Sequence, residues 1–137
     1  GLTADGVLHT IDIDEELETR INKFVSQSPF AQQVKLHIGN ALDIIPTLNE
    51  SFDLVFIDAD KENYAAYYDL LIDRLPSGAV LIADNVLWSG KVLEADQLPK
   101  DNDTKALDSF NKKIQADSRV ENVLMPIRDG LMVIRKK

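Results

Sequence analysis

Two apolar runs, Leu54-Val55-Phe56-Ile57 and Ala79-Val80-Leu81-Ile82-Ala83, end abruptly in carboxylates, at Asp58 and Asp60 in the first case and at Asp84 in the second. Neither run alternates, so each predicts a strand buried on both faces, as in a parallel sheet covered by helices. The flanking segments extend an alternation of strand and helix. Val7 to Ile11 reads as a strand, and Asp14-Glu15-Glu16 offers an N-cap and an acidic first turn for a helix with Leu17, Ile21, Phe24 and Val25 on one face. Val34, Leu36 and Ile38 alternate with Lys35 and His37, the pattern of a strand nearer a sheet edge; Gly39-Asn40 then turns into a short helical piece bearing Leu42, Ile45 and Leu48. Tyr64, Tyr67, Tyr68, Leu71 and Leu75 recur at helical spacing until Pro76-Ser77-Gly78 stops them.

Beyond the second run, Ser89 to Asp103 is polar and aperiodic, which predicts a long loop and a candidate lid. Thr104 to Asp117 returns to helix with Leu107, Phe110 and Ile114 inward. Val120 to Ile127 and Leu131 to Ile134 flank Arg128-Asp129-Gly130, where the Asp-Gly step favours a hairpin. The expected fold is therefore α/β, a doubly wound, mostly parallel sheet closed on one side by a C-terminal antiparallel hairpin.

Composition narrows the chemistry. The 137 residues make one domain's worth of chain, and with no cysteine there is no disulfide, no Cys-ligated zinc and no thiol nucleophile. A formal charge of -8 argues against nucleic acid as a partner gripped through its phosphates. No apolar stretch approaches the roughly 20 residues of a membrane span, and no basic-then-apolar leader opens the sequence. A cytoplasmic protein is the expectation.

In open α/β sheets ligands bind beyond the carboxyl ends of the strands. Asp58, Asp84 and Asn85 would emerge there with two carboxylates and an amide oxygen, the hard donors that magnesium, calcium or manganese prefers; strand-end residues of these types also serve simply as caps of the next turn. Lys61 would start the next helix, where a cation opposes the macrodipole, and near a divalent metal its pKa would fall into the range of a general base. Its alternative is a solvated surface lysine. Asp12 ends the first visible strand, a position from which acidic residues accept hydrogen bonds from a cofactor ribose, unless Asp14 is the cap and Asp12 its solvated neighbour. Trp88 could wall a flat substrate or belong to the core. The three tyrosines read first as helix packing, and His9 and His37 as structural.

Ile57-Asp58-Ala59-Asp60-Lys61-Glu62-Asn63-Tyr64, Asp84-Asn85-Val86-Leu87-Trp88-Ser89-Gly90 and Ile127-Arg128-Asp129-Gly130-Leu131 together resemble the cation-dependent class I O-methyltransferases of the caffeoyl-CoA and catechol type. The resemblance implies a Rossmann-like fold, S-adenosylmethionine and a divalent cation over the strand ends, and an aromatic acceptor whose vicinal hydroxyls chelate the metal. Carried over by residue, it implies Asp58, Asp84 and Asn85 as metal ligands and Lys61 as the catalytic base. Asp12 falls to the cofactor ribose, Ala41, Asp58, Asp60 and Tyr67 to further cofactor contacts, and Trp88 to the substrate. Magnesium is the expected ion, with manganese or calcium as alternatives.

The family's first strand, with its acidic Gly-rich loop and preceding helices, has no counterpart before Gly1-Leu2-Thr3-Ala4-Asp5-Gly6. Residues 1–137 are thus expected to be the C-terminal part of a single methyltransferase domain, weak or inactive alone. They would close their sheet either as a homodimer or by moving the strand ending at Asp12 beside the one ending at Asp58. A non-catalytic α/β binding or dimerisation module, a tRNA hydroxyuridine methyltransferase and a phosphate-accepting receiver domain are the competing readings. The receiver lacks the lysine it needs after its last parallel strand, where Arg128 and a hairpin stand instead.

Overall fold

A computed structural model describes residues 2–93 and 101–137 of the chain. It forms two compact units, Gly1–Asn49 and Glu50–Lys137. In the first, strand β1 (Leu8–Asp12) pairs in parallel with β2 (Val34–Ile38), and α1 (Glu18–Ser26) connects them. Asp14 caps the 3-10 turn before α1, its carboxylate accepting from Glu16 N, as the acidic cluster predicts. Phe24 departs from expectation. It is exposed, while Ile21 and Val25 are half-buried, because a two-stranded surface is wide enough to cover only a narrow stripe of the helix. A short helix, α2 (Ala41–Ile44), follows Asn40, whose side chain accepts from Leu42 N, and Ile45 and Leu48 bury beyond it.

The second unit holds a sheet in the order β3-β4-β6-β5, made of β3 (Leu54–Ile57), β4 (Val80–Asp84), β5 (Val120–Met125) and β6 (Leu131–Lys136). Strands β3 and β4 are parallel, and β6 runs antiparallel to both β4 and β5. The antiparallel hairpin beside a parallel pair is thus as read from the sequence. The expected pairing of the strand ending at Asp12 with the one ending at Asp58 is not formed: β1 and β3 belong to different sheets.

Helices α3 (Tyr64–Ile72) and α4 (Asn102–Ala116) bury the residues their periodicity picks out: Tyr64, Tyr68, Leu107, Phe110 and Ile114 are each 0 % exposed. Burial of a large apolar side chain contributes about 1.5–3 kcal/mol, so these few residues supply much of the unit's cohesion. Phe110 makes T-shaped contacts with both tyrosine rings, with centroids at 5.6 Å from Tyr64 and 6.4 Å from Tyr68. The Tyr68 hydroxyl donates to Asp117 at 2.8 Å, and Arg119 holds the Asp117 carboxyl well below the usual carboxylate range. Asp101 caps α4 through Thr104 N and Oγ1, which lowers its pKa to about 2.

The two-sided burial expected of β3 is not observed. Val55 and Ile57 share a face with Leu81 and Ala83, whereas Leu54 is 62 % exposed and Phe56 58 %. Strand β3 lies at the edge of its sheet, and within this unit only the face bearing Ile57, Leu81 and Ala83 is buried. The candidate lid is described in part. Residues 88–93 form a 3-10 turn and further turns, Asp101 caps α4, which begins at Asn102, and residues 94–100 lie outside the described residues.

Candidate active site

The parallel pairing Ile57↔Ala83 places the next residues, Asp58 and Asp84, side by side where the two strands end. Asp84 is held on its other side by pairing with Leu131. Both aspartates, with Asn85, line one cleft of about 800 Å³, and Phe56, Ser89 and the hairpin residues Ile127, Arg128, Asp129 and Leu131 complete its wall. Asn85 adopts a left-handed backbone with φ 60°, a conformation Asn tolerates better than most residues. Asp84 Oδ1 accepts from the backbone N of Asn85 at 2.7 Å. Among the described residues no cluster of three or more His, Cys, Asp or Glu could hold a metal. The donor set in the cleft is instead two carboxylates and an amide, all hard oxygen donors suited to magnesium or calcium.

Lys61 opens the 3-10 turn that leads into α3, as its position after β3 predicts, and its side chain returns toward the strand ends. It is buried, at 8 % exposure, and is no solvated surface lysine. The amine donates to Tyr64 Oη at 2.6 Å and to Asp58 Oδ1 at 3.2 Å. Burial pulls its pKa down, yet Tyr64 and Asp58 together outweigh that pull and raise it above the ordinary lysine value. The depressed pKa expected near a metal is therefore not what the protein's own contacts produce.

Asp60 and Tyr67 are joined: the Tyr67 hydroxyl donates to Asp60 Oδ1, while Asp60 Oδ2 accepts from Asn63. Burial, reinforced by Asp60, pushes the Tyr67 hydroxyl well up. Trp88 is half-buried with its ring centroid 5.9 Å from the Lys61 amine, and it is not among the residues lining the cleft. Asp12 and Ala41 lie in the first unit. Asp12 ends β1 and accepts from Asp14 N at 3.0 Å, and Ala41 begins α2.

Sequence reasoning did not single out Phe56, Ser89, Arg128 or Asp129 as cleft residues. The motif Ile127-Arg128-Asp129-Gly130-Leu131 carried the signal, but its Asp-Gly step read as turn chemistry. In the structure this tip is latched to the loop after β4: Asp129 accepts from Ser89 N through its carboxylate and from Leu87 N through its carbonyl, and Gly130 O accepts from Val86 N. Gly130 has φ +84°, and a Cβ there would lie 2.6 Å from Leu87 Cγ. Gly130→Ala is expected to lower stability by about 2–4 kcal/mol, from left-handed strain plus overpacking. Gly78→Ala, with φ +89° but nothing within 4 Å of the new Cβ, should cost only the strain, about 1–2 kcal/mol. Urea denaturation of the two variants checks the difference; equal losses would mean that the latch does not depend on close approach at Gly130.

The whole chain, residues 1–137, matches the model of a single protein family, described as O-methyltransferase. The chain belongs to that family. Tricin synthase 2 of Oryza sativa subsp. japonica is 35% identical over 142 residues, covering 96% of this chain and 49% of the relative. A caffeoyl-CoA O-methyltransferase of Mesembryanthemum crystallinum is 33% identical, covering 98% and 57%. Among solved structures, the O-methyltransferase TomG of Streptomyces achromogenes, involved in tomaymycin synthesis and in complex with SAM, superimposes with a TM-score of 0.90 at 28% identity, covering 99% of this chain and 64% of that one. The fold is that of the class I methyltransferases. The chain spans about half to two thirds of the length of these relatives. No helix among the described residues is long and apolar enough to cross a membrane.

Proposed function

We propose that the whole protein transfers the methyl group of S-adenosylmethionine to one hydroxyl of a vicinal pair on a catechol-like or phenylpropanoid ring, with the help of a divalent cation. The observation that carries this reading is one cleft lined by Asp58, Asp84 and Asn85, with a buried amine 3.2 Å from the first of them, in a chain of the O-methyltransferase family. The relative named caffeoyl-CoA O-methyltransferase supports the substrate class, and the SAM-bound neighbour supports the cofactor.

Asp58, Asp84 and Asn85 would hold the cation, magnesium by preference, with manganese or calcium accepted by the same donors. When bound, it would lower the pKa of the acceptor hydroxyl and fix its oxygen. The protein's residues do the rest. The acceptor oxygen bonds to the methyl carbon as the carbon–sulfur bond breaks and its electron pair stays on sulfur, leaving S-adenosylhomocysteine. The hydroxyl proton passes to the neutral form of the Lys61 amine; of the two contacts that favour its protonated form, the one to Asp58 weakens when that carboxylate turns to another partner. Asp12 and Ala41 in the first unit, and Asp58, Asp60 and Tyr67 in the second, are proposed as cofactor contacts, and Trp88 is proposed to shield the acceptor ring.

We place the protein in the cytoplasm on its acidic composition. A homodimer is part of the same reading, supported by the exposed apolar residues of the outer strand β5, Val123, Leu124 and Met125, which invite pairing with a second copy. Methyl transfer to a catechol and to its monohydroxyl analogue tests the reading. The catechol should be methylated and the phenol should stay at background, since one hydroxyl cannot chelate; equal rates would refute the vicinal requirement.

A further inference from the structure

Lys61 is a long side chain with about 2 kcal/mol of rotamer entropy, so something must fix its amine if it is to meet one hydroxyl. Among the described residues, two side chains accept hydrogen bonds from it. Asp58 lies at 3.2 Å and Tyr64 Oη, closer, at 2.6 Å, with the amine also 4.7 Å from the Tyr64 ring centroid. Tyr64 is 0 % exposed and packed in a T-shaped contact with Phe110, so its hydroxyl has a fixed place. A phenol has one proton to donate. It faces the carbonyl of Asp84 at 3.0 Å and, less closely, that of Ile57 at 3.4 Å. Because the ammonium can only donate, the chain has one direction: Lys61 Nζ donates to Tyr64 Oη, which donates to Asp84 O. The amine is thereby referenced to the backbone of the residue whose carboxylate lines the cleft.

We propose that Tyr64 is a positioning residue that anchors the Lys61 amine to the end of β4, independently of Asp58. Any partner that draws the Asp58 carboxylate away leaves this anchor intact, because neither Tyr64 nor the Asp84 carbonyl takes part in that exchange. The inference rests on the reading of Lys61 as the base, and its test separates the two.

Tyr64→Phe, which keeps the ring against Phe110, is compared with Lys61→Ala and the double variant in the whole protein. Tyr64→Phe is expected to lower kcat at least about tenfold with the KM for S-adenosylmethionine within about twofold, and the double variant should be no slower than Lys61→Ala. Independent, multiplying losses would overturn the inference. A Lys61→Ala variant with wild-type turnover would instead remove the base, and positioning is then judged without turnover. In the protein free of cofactor and metal, brief acylation read by mass spectrometry should label Lys61 at least about fivefold faster relative to Lys113 once Tyr64 is Phe; an unchanged ratio overturns the anchor whatever the activity. Should that variant not fold, the wild type serves: a held ammonium gives a resolved, slowly exchanging nitrogen–proton NMR signal for Lys61, and its absence overturns the proposal.

Discussion

Replacing Asp84 with alanine is expected to cut metal-dependent methyl transfer by the whole protein at least about 100-fold, the equivalent of roughly 3 kcal/mol of lost transition-state stabilisation. The size follows from the donor count. Two carboxylates and one amide are the proposed set, so removing Asp84 halves the negative charge offered to a hard cation. Stability should hardly change. The carboxylate's bond to Asn85 N is local, the backbone pairing of Asp84 with Leu131 does not need the side chain, and one fewer aspartate beside Asp58 relieves like-charge repulsion. Turnover measured against magnesium concentration, alongside a thermal melt, checks both halves. A variant that keeps metal-stimulated turnover would take Asp84 out of the site.

Lys61→Ala should lower kcat by about 100-fold or more, within the usual range for loss of a general base, while affinity for S-adenosylmethionine stays within about threefold. The split follows from where the amine sits. Its hydrogen bonds go to Tyr64 and Asp58, on the side of the strand ends, and not to the Asp60–Tyr67 pair assigned to the cofactor. The change leaves no buried donor stranded, because Tyr64 Oη still donates to the Asp84 carbonyl. Turnover equal to wild type across the pH range would remove Lys61 from the mechanism.

What the sequence made legible were features written locally. The spacing of Tyr64, Tyr68 and Leu71, and of Leu107, Phe110 and Ile114, needs only a helix's own period, and those residues are buried. Apolar runs ending at Asp58 and Asp84 announced two strand ends, and their parallel register brings the aspartates together. What escaped depends on what covers a surface or what meets across the chain. An unbroken apolar run cannot say that Leu54 and Phe56 face outward, and helical periodicity cannot say how much of α1 a two-stranded sheet covers, which is why Phe24 is exposed. Tyr64 looked like packing, and it is packed; its hydroxyl matters because the turn at Lys61 folds the amine back onto it. Asp129 and Gly130 looked like a turn, and their grip on residues 86–89 arises from a meeting of segments some 40 residues apart.

Methyl transfer is expected to depend on a divalent ion at the strand ends, and one measurement addresses this dependence directly. The whole protein is incubated with S-adenosylmethionine carrying a labelled methyl group and a catechol, first with magnesium, then with excess chelator, then with magnesium restored. Labelled monomethyl ether is expected in the first and third conditions and a fall to background in the second. Undiminished transfer in the presence of chelator would contradict that dependence.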